Sequence, residues 1–214
     1  MIEPAAVAAR LAELRERFGP RADAITVVAV TKAFGRDAVE AAVAAGVADV
    51  GESYAQECVA KLDGPDTGAN VHFIGNLQRN KVRRLAPVVD VWQSIDRPSL
   101  VDELAKRAPG ARVMVQVDIS GEPQKGGCAP ETTGELVARA VDNGLDVVGL
   151  MGVGPIGPPE DARPGFARLR SLVDSLGLAE CSMGMSADID VAVEEGTTMV
   201  RVGTGLFGPR PLRR

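Results

Sequence analysis

Aromatic residues are scarce in this 214-residue sequence: five Phe, one Trp and one Tyr, 3% in all. Proteins that grip single-stranded nucleic acid stack bases on aromatic side chains, so this supply argues against that class. A basic excess is missing too. Lys and Arg number 24 against 29 Asp and Glu, and the net charge of −5 has the wrong sign for a nucleic-acid partner. There is a single histidine, His72. Ser-His-Asp and Cys-His machinery would have to use it, and no nucleophile has an evident place beside it. The cysteines, Cys58, Cys128 and Cys181, are odd in number, far apart and form no C-x-x-C pair. Neither a disulfide framework nor a zinc site is suggested, no metal is expected, and a reducing cytoplasm fits. Apolar runs such as A-I-T-V-V-A-V at 24–30 fall far short of the roughly 20 residues that span a bilayer. The opening M-I-E-P-A-A-V has neither a basic n-region nor an apolar h-region, so a soluble cytoplasmic chain with no membrane partner is expected.

What is present is the composition of a globular protein, 45% hydrophobic and 25% charged. The length suits one domain, 1–214, with a sizeable core. Residues 3–18 carry Val7, Leu11, Leu14 and Phe18 at helical spacing. Strands and helices then alternate. Strands are predicted at 25–31, 49–51, 71–74, 91–95, 112–119, 146–153, 181–185 and 199–202. Helices are predicted at 36–45, 54–62, 78–85, 99–107, 131–143, 164–176 and 188–195. The strands are continuous apolar runs, as in a parallel sheet covered by helices. Eight of them predict an α/β fold, a single (β/α)8 TIM barrel with an extra N-terminal helix. The competitor is an open doubly wound sheet, weakened by the lack of G-x-G-x-x-G after the first strand.

Two segments carry the candidate chemistry: S-M-G-M-S at 182–186 and T-M-V-R-V-G-T at 198–204. Ser186 precedes helix-like sequence that its hydroxyl can cap, and Gly203 and Gly205 flank Thr204, letting backbone approach a ligand. Free amides at such turns make an anion site, most often for phosphate. Lys32 follows the first strand, which in a closed barrel neighbours the eighth. An amine beside a phosphate cradle suits a phosphorylated aldehyde, although a strand-end lysine is more often simply solvated or ion-paired. Arg201 is a cation inside an apolar strand, which is costly without a fixed partner. Either it forms a structural ion pair, or it points into the barrel mouth toward a ligand ring.

V-T-K-A at 30–33, G-E-S-Y-A-Q-E at 51–57, H-F-I-G-N-L-Q-R-N-K at 72–81, Q-K-G-G at 124–127, G-L-M at 149–151, M-G-M-S-A-D at 183–188 and T-M-V-R-V-G-T-G-L-F-G at 198–208 resemble the YggS/PROSC family. The resemblance spans almost the whole chain. It implies a barrel like the N-terminal domain of alanine racemase, with pyridoxal 5'-phosphate as cofactor. It implies that Lys32 holds the cofactor as an aldimine, that Ser186, Gly203 and Thr204 contact its phosphate, and that Arg201 lies near the pyridine nitrogen. Ser53 departs from the family's Asn, which puts a pocket contact in doubt. Val71 stands where many relatives carry Trp, a change of packing rather than chemistry. His72 reads as a hydrogen-bonded structural group. Arg79 and Arg83 read as one solvated helical face, and Lys125 as a solvated loop lysine. The implied role is pyridoxal phosphate homeostasis: a non-catalytic, monomeric binder that delivers the cofactor to apoenzymes. A low-activity amino-acid racemase and a Schiff-base aldolase are the rival readings, and Tyr54 is the only tyrosine available to the first.

Overall fold

The computed structural model describes residues 1–209. Helix α1 (Pro4–Phe18) precedes eight β–α units: β1 (Thr26–Val30), α2 (Arg36–Ala44), β2 (Asp49–Glu52), α3 (Ala55–Leu62), β3 (Asn70–Phe73), α4 (Val82–Leu85), β4 (Val91–Ile95), α5 (Pro98–Arg107), β5 (Arg112–Val117), α6 (Thr133–Asp142), β6 (Asp146–Gly152), α7 (Arg163–Ser175), β7 (Glu180–Ser182), α8 (Ile189–Glu194), β8 (Met199–Val202) and α9 (Thr204–Phe207). All neighbouring strands run parallel and the sheet closes on itself, β8 pairing with β1 from Thr26↔Met199 to Ala29↔Val202. This is a (β/α)8 barrel with an added N-terminal helix, as the apolar runs predict. Closure leaves no sheet edge unpaired.

Side chains alternate along each strand, so each strand has an inner and an outer set. Outward residues such as Val27, Val50, Trp92, Val113, Leu150, Cys181 and Val200 join the main core with the helices. The four α1 residues picked out by spacing are its buried stripe. Each fully buried Val, Leu or Phe contributes roughly 1.5–3 kcal/mol. Inward residues Val28, Met114, Met151 and Met199 form a separate apolar plug. Around it the interior is polar: His72, Gln93, Gln116, Ser182 and Arg201 are all buried.

Three expectations need correction. The predicted helix at 78–85 is a 3-10 turn, Arg79–Lys81, followed by the single turn of α4. Arg79 therefore does not share a helical face with Arg83; it pairs with Glu103 on α5 at 3.1 Å. Strand β7 is only three residues long, and Gly184, two residues beyond it, turns the chain with φ of 96°. Ser186 does not cap the next helix, which starts at Ile189 with Asp188 in the cap position. Asp188 instead accepts the Met185 amide at 2.6 Å.

Candidate functional site

Lys32 is two residues beyond β1 and half-buried. Both peptide groups beside it are held by α3. The Thr31 carbonyl accepts from Lys61 Nζ at 2.7 Å, and the Ala33 amide donates to Glu57 Oε1 at 2.5 Å. Ala33 has φ of 68°, the only non-glycine positive φ among the described residues. Such a conformation costs about 1–3 kcal/mol and persists where its surroundings over-determine it, as the Glu57 bond does here. Lys61 also meets Glu52 Oε1 at 2.5 Å and Glu57 at 3.1 Å, with side-chain exposures of 4% for Lys61 and 0% for Glu52. Thr31 Oγ1 donates to the same Glu52 oxygen. Burial pushes the Glu52 carboxyl up, and the pull of Lys61 and Thr31 in the opposite direction only partly offsets it. Its Oε2 is buried with no hydrogen-bond partner among the described residues.

At the end of β8, Gly203 leads into the short α9. The Leu206 and Phe207 amides return to the Gly203 carbonyl, and first-turn amides such as those of Thr204 and Gly205 have no acceptor within a helix. A Cβ on Gly203 would lie 3.3 Å from the Val30 carbonyl, so this turn rests against the end of β1, two residues before Lys32. A Cβ on Gly205 would lie 3.4 Å from Ser186 Oγ and 2.8 Å from Val202 Cγ1. The Ser186 hydroxyl therefore flanks the turn although it is 19 positions away in sequence. The glycine at 203 is there for close approach, since its φ of −106° suits any residue.

Arg201 points inward from β8. Its Nη1 donates to Ser182 Oγ at 2.7 Å and its Nη2 to the Gly152 carbonyl at 2.8 Å. Burial pushes the guanidinium down to about 10, leaving it charged at neutral pH. None of the ion pairs among the described residues involves Arg201, which removes the structural ion pair from its two readings. These bonds use two of its five N–H donors. Thus an amine, a guanidinium, a hydroxyl and open backbone amides gather at one end of the barrel, where barrel sites form. The set suits a ligand with an anionic group at the turn, a carbonyl at Lys32 and an acceptor between them.

The family model for the alanine racemase N-terminal domain matches residues 2–211. A pyridoxal phosphate homeostasis protein from Pseudomonas aeruginosa is 40% identical over 216 residues, covering 96% of this chain and 94% of its own. The chain belongs to the pyridoxal phosphate homeostasis protein family. A second member, from Aquifex aeolicus, is 37% identical with 94% of each chain covered. PipY of Synechococcus elongatus, solved with pyridoxal phosphate bound, superposes with a TM-score of 0.83 at 32% identity, covering 94% of this chain and all of its own. A lysine decarboxylase from Selenomonas ruminantium, 16% identical with a TM-score of 0.76, shares the fold alone.

Other residues of this family member singled out in the sequence fall as follows. Ser53 and Tyr54 line a polar hollow of about 310 Å³ with Gln56, Asn76, Gln78 and Lys81. Val71 is buried against the helices, a packing position. Lys125 is not solvated: it pairs with Glu122 at 2.9 Å and donates to the Gly154 carbonyl, tying two loops together. The three cysteines are buried and free, and burial pushes the Cys58 and Cys181 thiols up to about 12. Among the described residues there is no cluster of three metal-ligating side chains, and no helix is long and apolar enough to cross a membrane. Sequence reasoning missed Glu52, Glu57 and Lys61. A carboxylate inside an apolar strand and a Glu–Lys pair four apart on the following helix were the available signals.

Proposed function

We propose that this chain binds pyridoxal phosphate at the carboxyl end of its barrel, as one cytoplasmic barrel domain, and holds it in reserve for apoenzymes without substantial turnover. The observation that carries the reading is the convergence of Lys32, Arg201, Ser186 and the turn at Gly203–Gly205. The residues fit the group: the Ser186 hydroxyl flanks the turn at Gly203–Gly205, whose first amides have no acceptor within the helix, so donors of the kind a phosphate takes stand together there. Ser186 and the amides of the Gly203–Thr204–Gly205 turn would hold the phosphate, Lys32 would carry the cofactor on its ε-amine, and Arg201 would face the ring nitrogen.

When bound, pyridoxal phosphate offers an aldehyde to amines and a pyridine ring that draws electrons from them. Arg201 only donates, so a ring nitrogen opposite it must present its lone pair. The guanidinium charge also disfavours protonation of that nitrogen, which weakens the ring as an electron sink. Holding the cofactor is therefore favoured over catalysis. Absorption spectra and borohydride reduction followed by peptide mapping test this. The expected result is a visible band that reduction bleaches, with the pyridoxyl mass on Lys32. Mass on Lys81 or Lys125 would overturn the assignment. Racemisation of amino acids that disappears in Lys32→Ala would replace the carrier with a racemase, and a chain that takes no cofactor but cleaves a phosphorylated sugar would be an aldolase.

A further inference from the structure

A chain of hydrogen bonds crosses the barrel interior from the start of β2 to β8. Arg201 Nη1 lies 2.7 Å from Ser182 Oγ, Ser182 Oγ 2.7 Å from Gln93 Oε1, Gln93 Nε2 2.7 Å from His72 Nδ1, and His72 Nε2 2.9 Å from Asp49 Oδ1. His72, Gln93, Ser182 and Arg201 are each at most 5% exposed. From these contacts, and from the role of Arg201 proposed above, we infer that His72 is a positioning residue: locked as its Nε2–H tautomer, it holds the Arg201 guanidinium in place through Gln93 and Ser182.

The direction of each bond follows from which atoms can donate. A guanidinium has no acceptor, so Ser182 Oγ accepts from Arg201; its own proton goes to Gln93 Oε1, 2.7 Å away. That fixes the Gln93 oxygen toward Ser182 and its NH2 toward His72. An NH2 only donates, so His72 Nδ1 must be the unprotonated nitrogen. The ring proton then sits on Nε2 and is donated to Asp49. One neighbour agrees with this polarity: Gln93 Nε2 is also 3.2 Å from Met199 Sδ, an acceptor. Asn70 Nδ2 lies 3.2 Å from His72 Nε2 and directs its hydrogen to Asp49 Oδ1 instead, at 2.6 Å. Burial pushes the Asp49 carboxyl up, but the bonds from His72 and Asn70 outweigh it and hold the carboxyl below its usual range. The opposite polarity would reverse the Gln93 amide, turn its NH2 onto Ser182 Oγ and leave the buried Ser182 proton without the acceptor it has at Gln93 Oε1.

His72 is the only histidine in the chain, so its imidazole signals in untagged protein need no assignment. Nitrogen-15 NMR of the full chain near neutral pH, without added cofactor, should give a protonated Nε2 and a bare Nδ1. A protonated Nδ1 overturns the inference, and this readout needs neither a variant nor cofactor binding. Two variants test the link to Arg201. His72→Asn keeps an acceptor opposite Gln93, whereas His72→Leu removes it; both lose the bond to Asp49. His72→Leu should weaken pyridoxal phosphate binding on the order of tenfold and shift the visible band, because a buried donor loses its partner. His72→Asn should keep both the parent affinity and its band. Equal behaviour of the two variants would assign His72 a merely structural role and overturn the inference. A parent that binds no pyridoxal phosphate would instead overturn the proposed function and, with it, any positioning of Arg201 toward that ring, whatever the tautomer.

Discussion

Replacing Lys61 with Met tests the brace behind Lys32. Met has similar length, so the change removes an ammonium rather than a volume. Three bonds disappear, to the Thr31 carbonyl, Glu52 and Glu57. Glu52, fully buried, is left without its counter-charge. Breaking one side of a buried ion pair costs about 3–5 kcal/mol. For a chain of this length each kcal/mol lowers Tm by roughly 2–4 °C, so a fall of about 6–20 °C is expected. The sign of the pH dependence follows from Glu52. Its native carboxyl titrates above the unfolded value of 4.5, so within that window the native state binds more protons than the unfolded state. Glu52's contribution is thus fully present below the unfolded value and is lost as pH rises through the native one. Without Lys61 the native value rises further, and the deficit against the parent should widen from about pH 5 to about pH 8. Urea unfolding of cofactor-free protein at both pH values measures it. Glu52→Gln combined with Lys61→Met should recover part of the loss and flatten its pH dependence. A deficit below about 1 kcal/mol near neutral pH, the scale of an exposed pair, would refute the reasoning.

Ala33→Gly should stabilise the protein by about 1 kcal/mol, because glycine adopts the left-handed conformation at position 33 without strain; urea midpoints check it, with no gain meaning that the unfolded-state entropy of glycine outweighs the relief. At the other end of the site, Ser186→Ala should weaken pyridoxal phosphate binding by about 1.5–3 kcal/mol, the worth of a hydrogen bond to a charged group. Gly205→Val should abolish binding by pushing the turn off Val202 Cγ1, 2.8 Å from the added Cβ, and away from Ser186, as titration followed by absorbance would record, and undiminished binding in both variants would place the phosphate elsewhere.

The barrel was legible because a parallel strand buried on both faces writes itself as an unbroken apolar run. The bounds predicted for 91–95 and 199–202 coincide with β4 and β8. Turn chemistry was harder to read. Ser186 has the composition of a cap, but the tight turn at Gly184 and the reach of Asp188 to the Met185 amide move the helix start to Ile189. At 78–85 the alternation of strands and helices calls for a helix, yet only Val82–Leu85 forms one. The environment of Arg201 depends on closure: its acceptors come from β6 and β7, 49 and 19 positions away, and no local pattern names them. The same holds for the brace on Lys32, where Thr31 and Lys61 are 30 positions apart.

That brace has a kinetic consequence. With the peptide groups on both sides of Lys32 fixed, its ε-amine moves only through side-chain torsions about a stationary base. Ordering one residue's backbone costs about 1–2 kcal/mol, so for Thr31, Lys32 and Ala33 some 3–6 kcal/mol of ordering is complete when the chain folds, before any ligand arrives. A small molecule that reacts with this amine meets a pre-set nucleophile, and its arrival and departure do not wait for a loop to rearrange.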